Sequence, residues 1–317
     1  MTSISEREYL VRGALVVADA EDPSGSFADG AVHVSRDRVV AVDTFDVLHA
    51  ANPTLSVIGS TSIVVLPGLV NAHDHGRGVS TSQVGLTDRA VELWMLTLGD
   101  MPAVDPYLAA AYSAATAIEA GITTVVNNWY EAPAARYRSS FFESLAGHEA
   151  AGIRSAWVLQ ILDRSGVEDI YHGCLPDAPP ELATRIMSAV ERRPRLLPSE
   201  YFAFCDHVAR TLPKRSARAS VLCGPVSVHW CSDGLLEQVA EFAEGSGLWM
   251  QTHLLESPYQ ARRAALAHGE SMVSHLDRIG FLGAHLSCAH CVWLSESDIR
   301  LLADAGVSVV HCPGSNL

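Results

Sequence analysis

Lysine is almost missing from this chain: Lys214 stands alone among 317 residues, and Lys and Arg together number 22 against 36 Asp and Glu, a formal net charge of −14. Such a deficit excludes proteins that grip a phosphate backbone, which need a basic excess on one face. Long apolar runs are lacking too, with no stretch of eighteen apolar residues to cross a bilayer. The start, Met1-Thr-Ser-Ile-Ser-Glu-Arg-Glu8, has neither the basic head nor the apolar stretch of a secretory signal, so a soluble cytoplasmic protein is expected. The seven cysteines, Cys174, Cys205, Cys223, Cys231, Cys288, Cys291 and Cys312, are odd in number and scattered, which argues against a disulfide framework and for reduced thiols. Two motif classes are absent as well: the His-Glu-x-x-His of zinc proteases, and the paired His-x-Glu and Pro-Cys-x-x-Cys signature of the cytidine-deaminase type.

What is present is enough apolar material, 48% of residues with 18% charged, to build a large core. Residues 1–60 read as short β-rich pieces, Leu10 to Val17, Ala31 to Ser35, Val39 to Val42 and Leu55 to Ile58, broken by turn residues and forming part of a small β-sandwich domain. From residue 61 to 317 apolar strands alternate with amphipathic helical stretches, the pattern of a parallel sheet with crossover helices. The expected strands are Ile63 to Asn71, Thr123 to Asn127, Arg154 to Ile161, Ser220 to Val226, Leu248 to Leu254, His285 to His290 and Val307 to Cys312. The intervening helices include Leu108 to Glu119, Ser140 to Ala151, Gly234 to Ala243, Pro258 to Leu266 and Glu296 to Ala305. The fold class is therefore α/β, a distorted (β/α)8 TIM-like barrel with seven strands in this chain. No eighth strand is found before Leu317, so the chain reads as an incomplete copy of a longer protein.

Histidines mark the ends of these strands. In Leu66-Pro-Gly-Leu-Val-Asn-Ala-His73-Asp-His75, residues two apart on a strand share a face, so both imidazoles can point at one metal ion. His253 ends a strand in Gln251-Thr-His-Leu-Leu-Glu256, with a carboxylate three residues on; His290 ends the next in Ser287-Cys-Ala-His, and His311 the one after in Val309-Val-His-Cys-Pro-Gly-Ser-Asn-Leu. Barrel active sites lie at carboxyl ends of strands, where all of these fall.

Together, Pro-Gly-Leu-Val-Asn-Ala-His-Asp-His, His-Leu-Leu-Glu, Ala-His-Cys-Val-Trp-Leu-Ser and His-Cys-Pro-Gly-Ser-Asn-Leu resemble the amidohydrolase superfamily. They are most similar to its mononuclear aminohydrolase branch of guanine, cytosine and adenosylhomocysteine deaminases and s-triazine hydrolases. The resemblance implies that His73, His75 and His253 hold one Zn²⁺ or Fe²⁺, with an aspartate from strand eight as a fourth ligand. It further implies that Glu256 passes the proton and that His290 orients the substrate or the attacking water. Binuclear relatives bridge two metals with a lysine on strand four; Lys214 lies upstream of that strand, which favours a single metal. The implied activity is hydrolytic deamination of a small nitrogen heterocycle of purine, pyrimidine, pterin or triazine type by a homo-oligomer that binds neither nucleic acid nor membrane. The alternatives are hydrolysis of a chloro- or alkylamino-triazine or of a cyclic amide, and an inactive fragment lacking the strand-eight aspartate. Without that aspartate, weak metal binding and little turnover are expected of the chain by itself.

Other residues carry two readings each. Arg77 and Trp94, on the segment after His75, are candidates for an anionic group and a planar ring of the substrate, or else an exposed arginine and a core tryptophan. His229 and His311 either border the substrate or serve as structural residues. His148, His172, His207, His268, His275 and His285 read as structural or exposed, Cys288 and Cys291 as core thiols, and Arg210 to Arg218 as a solvated loop or helix.

Overall fold

The computed structural model describes residues 8–19, 21–131, 134–164, 179–182, 184–185 and 196–316, so His172 and Cys174 lie outside the described residues. Two compact units are present, Met1–Leu69 and Val70–Leu317.

In the first unit, β1 (Glu8–Val17) lies between β2 (Ser26–Ser35), antiparallel to it, and β4 (Ser56–Val65), parallel to it; β3 (Arg38–Thr44) pairs antiparallel with β2. The sequence led to a sandwich. Among the described residues there is one four-stranded sheet, and its small apolar face, centred on Leu10 and Ala31, is covered by Leu48 of the short helix α1 (Phe45–Ala51). A face that small needs only two helical turns to bury it.

The second unit is a parallel sheet of seven strands lying in chain order: β5 (Leu69–Asp74), β6 (Ile122–Trp129), β7 (Arg154–Ile161), β8 (Ala219–Pro225), β9 (Met250–Leu254), β10 (Leu286–His290) and β11 (Ser308–Val310). Sequential order with helical crossovers is the winding of a TIM-like barrel. Within the described residues β5 and β11 each pair on one side only.

The crossovers contain α2 (Val91–Thr97), α3 (Pro106–Glu119), α4 (Tyr137–Ala151), α5 (Pro198–Arg215), α6 (Asp233–Ser246), α7 (Pro258–His268), α8 (Met272–Arg278) and α9 (Glu296–Asp304). Serine side chains at residues 232, 257, 271 and 295 cap α6 to α9 by accepting backbone N–H bonds, while Gly152 and Gly247 end α4 and α6 in the left-handed conformation. No described helix is long and apolar enough to cross a membrane.

One strand differs from its expected place. Ile63 to Val65 belong to β4, where Val64 and Val65 pair with Leu15 and Val16, and the first barrel strand starts only at Leu69, after Pro67 has interrupted the ladder. The basic stretch from Arg210 forms the end of α5, a helix of eighteen residues whose Tyr201, Phe204 and Val208 are buried.

Behind the sheet, Trp129, Tyr137, Phe141, Trp157 and Phe204 meet edge to face with centroids 4.5 to 5.8 Å apart, the preferred aromatic geometry. Gly224 lets β8 approach β9, since a Cβ at this position would stand 2.0 Å from the carbonyl oxygen of Gln251. Gly224→Ala is therefore expected to cost about 2–4 kcal/mol, read as a lowered urea midpoint.

His148 is buried in α4 against Trp157, at 4.6 Å between centroids, with both ring nitrogens unpartnered among the described residues. Burial pushes its imidazole down to about 4 from the usual 6.5. The unfolded chain then binds the extra proton first, so stability is lost as pH falls from about 6.5 towards 4, by roughly 3 kcal/mol in all. In urea titrations at a series of pH values, His148→Phe is expected to lose this part of the acid sensitivity.

Candidate metal centre

The carboxyl ends of β5, β9 and β10 bring four imidazoles together. Ring centroids of His73 lie 5.1 Å from His75, 4.8 Å from His253 and 5.5 Å from His290, and His253 lies 5.1 Å from His75 and 5.3 Å from His290. The ligating atoms of His73, His253 and His290 fall within 4.8 Å of one another, and His75 Nε2 is 3.2 Å from His253 Nε2. The strand-parity argument for His73 and His75 thus leads to neighbouring rings, with His75 one residue past the end of β5.

Hydrogen bonds on the far side of the rings decide which nitrogen carries the proton. His253 Nδ1 bonds the Val226 carbonyl, and His75 Nδ1 bonds the Asn128 carbonyl at 3.1 Å. A carbonyl oxygen only accepts, so both Nδ1 atoms carry hydrogen and, in neutral rings, both Nε2 atoms are lone pairs. His73 Nδ1 lies between an acceptor, Gln251 Oε1 at 3.0 Å, and a donor, Asn128 Nδ2 at 2.8 Å, which themselves pair at 2.5 Å; His73 Nε2 is buried without a partner among the described residues. Lone pairs facing each other at 3.2 Å repel unless a cation lies between them. Ligating histidines characteristically donate their second N–H to an oxygen, and His75 and His253 do so here, with the Gln251 oxygen also within reach of His73.

Protonation is not the remedy. His75 keeps some contact with solvent but is walled in on most sides; dehydration and then Arg77 push it well below the usual value. Burial, followed by the charges of His73 and His290, does the same to His253, and burial lowers His73. The donor set therefore fits one divalent metal ion, and imidazole nitrogens accept zinc or iron(II) alike.

Glu256 stands beside this cluster, its Oε1 3.6 Å from His290 Nε2. Burial, followed by the nearby Glu92, raises its carboxyl to about 7, against the opposing pull of Arg77. His290 donates from Nδ1 to Asn316 Oδ1 at 3.1 Å and burial lowers it to about 4, so its Nε2 is an acceptor facing the glutamate.

Arg77 lies with its guanidinium 5.0 Å from the Trp94 ring, so these two candidates pair with each other. His229 is buried, with Nε2 accepting from the Leu255 N–H at 3.3 Å. His311 is exposed just after β11 and takes no part in the imidazole ring contacts. Cys288 and Cys291 are buried free thiols.

Sequence reasoning missed Asn128, Gln251 and Glu92. Gln251 had a signal in Gln-x-His, two residues before a ligand on the same strand face. Asn128 had another, since asparagine is unfavourable inside a strand. Glu92, fully buried on α2 and accepting from Ser257 Oγ, had none.

A barrel with a single-metal imidazole centre at the carboxyl ends of its strands is the class of molecule that this fold and site define. Residues 64–317 match the amidohydrolase family, and the chain belongs to it. It is 27% identical over 316 residues to a 5-methylthioadenosine/S-adenosylhomocysteine deaminase of Nitratidesulfovibrio vulgaris, covering 98% of this chain but 63% of that protein, so it spans less than two thirds of that relative's length. Among solved structures, an atrazine chlorohydrolase from Arthrobacter aurescens TC1 complexed with zinc is similar at TM-score 0.73 and 20% identity, covering 96% of this chain and 65% of the other. An adenosine deaminase from Xanthomonas campestris with bound zinc is similar at TM-score 0.69 and 22% identity, covering 98% and 63%.

Removing an outer partner should loosen the metal without removing a ligand. Gln251→Leu is expected to weaken zinc binding about 10- to 100-fold and His253→Asn to abolish it, measured by competition with a chromophoric chelator.

Proposed function

We propose that this protein is a metal-dependent aminohydrolase, which adds water to an amino-bearing sp² carbon of a nitrogen heterocycle and releases ammonia. The observation that carries the reading is a carboxyl group raised to about 7, Glu256, placed beside imidazoles whose ligating atoms gather within 4.8 Å of one another. A proton carrier works best when its pKa lies near the working pH, because it must accept and return a proton in one cycle.

His73, His75 and His253 would hold the ion. When bound, a divalent ion lowers the pKa of water from 15.7 to about 7 and so supplies a hydroxide nucleophile at neutral pH. Glu256 takes the proton released from water and delivers it to the departing nitrogen, so that C–O forms, C–N breaks and ammonia leaves. His290, an acceptor at Nε2, holds the attacking water's remaining O–H or the protonated Glu256 carboxyl. Trp94 offers a flat wall to a planar ring and Arg77, held against it, a cation; His311 stays a candidate at the rim.

The deaminase names of the adenosylhomocysteine and adenosine relatives support an amino leaving group, and the atrazine chlorohydrolase keeps a chloro leaving group as the second reading. Six described cysteines, all free, support the cytoplasmic setting, where the protein would act as a homo-oligomer.

The test is an ammonia-release screen of the zinc- or iron-loaded protein over purine nucleosides, pyrimidines, pterins and aminotriazines, with chloride release and cyclic-amide opening in parallel. In line with the little turnover expected of the chain by itself, ammonia from at least one class is expected at a low rate, and Glu256→Gln should lower that kcat about 10³-fold with metal content unchanged. Chloride or ring-opened acid as the sole product would replace the deamination reading, and full activity in Glu256→Gln would remove the proton carrier.

A further inference from the structure

Three residues next to the site hold a backbone conformation that non-glycine residues rarely adopt: Leu255 at φ 48°, His290 at φ 73° and Cys291 at φ 54°. They lie where β9 and β10 end and pass into two loops that clasp each other, with Cys291 N–H donating to the Leu254 carbonyl at 2.8 Å and Val292 N–H to the Leu255 carbonyl at 3.1 Å. A residue in that region persists only where its surroundings over-determine it. The Leu255 carbonyl is held by the β10 loop, and its N–H is held by one side chain, His229.

His229 suits that task. It sits in the short turn Val228–Trp230 after β8, its own N–H donating to Ser227 Oγ at 3.3 Å, and Ser227 itself bridges to His253. Its ring is buried, and its other nitrogen, Nδ1, has no partner among the described residues. Because Leu255 N–H donates to Nε2, that nitrogen must be the bare one, which requires a neutral ring protonated at Nδ1. Burial and the neighbouring His268 keep it neutral by lowering it to about 3. The ring gives up a satisfied Nδ1 and keeps one protein hydrogen bond from its side chain, to the residue before Glu256.

We propose that His229 is a positioning residue for Glu256: by accepting the Leu255 N–H it holds the left-handed turn that aims the Glu256 carboxyl at the imidazole cluster. The next amide is fixed separately, Glu256 N–H donating to Gln260 Oε1 at 2.8 Å, so the turn has a bond on each side of the Leu255–Glu256 peptide. The proposal rests on Glu256 as proton carrier, and its test separates the two.

The variants are His229→Leu, which removes the acceptor, and His229→Gln, whose carboxamide oxygen reaches about where Nε2 lies. In His229→Leu, hydrogen exchange at the Leu255 and Glu256 amides should quicken more than about 10-fold, while His229→Gln stays near wild type. On whichever substrate the screen yields, His229→Leu should lose kcat about 10- to 100-fold with KM and metal content little changed, and His229→Gln should recover most of it. Unchanged exchange in His229→Leu overturns the proposal even if no substrate is found. A change confined to KM would make His229 a substrate contact instead, and a lowered Tm with unchanged kcat would make it structural only. Loss of kcat in Glu256→Gln alongside an unaffected His229→Leu would leave the proton carrier standing and end this proposal.

Discussion

The site depends on a repulsion. Two imidazoles, His253 and His75, spend their Nδ1 hydrogens on the main-chain carbonyls of Val226 and Asn128 and so turn bare Nε2 atoms towards each other, with His73 beside them. Protonation does not relieve this, because burial keeps the rings neutral. A divalent cation relieves it fully. The outer oxygens therefore matter as much as the ligands, since they decide which nitrogen faces inward.

That arrangement needs strands distant in sequence. His73 and Gln251 are 178 positions apart, and they meet because parallel strands place all their carboxyl ends on one side. Gly224 narrows the gap between β8 and β9, so that the Val226 carbonyl after β8 reaches His253 at the end of β9. The buried aromatic cluster against β6 and β7 stiffens the part of the sheet that carries Asn128. Around Glu256 the same rigidity supports strain, with Leu255, His290 and Cys291 in left-handed conformations that an isolated loop would abandon. Burial beside Glu92 then gives the carboxyl an affinity for protons that water would deny it.

The order of strands and helices was legible because each has its own period and its own stop signals: Gly152 and Gly247 do end helices, and Arg154–Ile161 is a strand at the residues expected. The boundary at β5 was not. Ile63 to Val65 look like any apolar strand, and only their pairing with β1 assigns them to the small sheet. The covering helix α1 was likewise hidden, since a seven-residue helix leaves little periodic signal.

The sequence by itself determined the residue types, the strand parity that sets His73 beside His75, and the placing of His253, Glu256 and His290 at strand ends. Those are local properties, readable from spacing along one chain segment. Tertiary structure decided that His73, His253 and His290 gather within ligating distance with His75 against His253, which nitrogen of His75, His253 and His290 is bare, that Arg77 pairs with Trp94, and that His229 serves the turn before Glu256. A proton's place on a ring and a carboxyl's affinity for one depend on partners brought from elsewhere in the chain and on the exclusion of water, and neither exists until the strands have assembled.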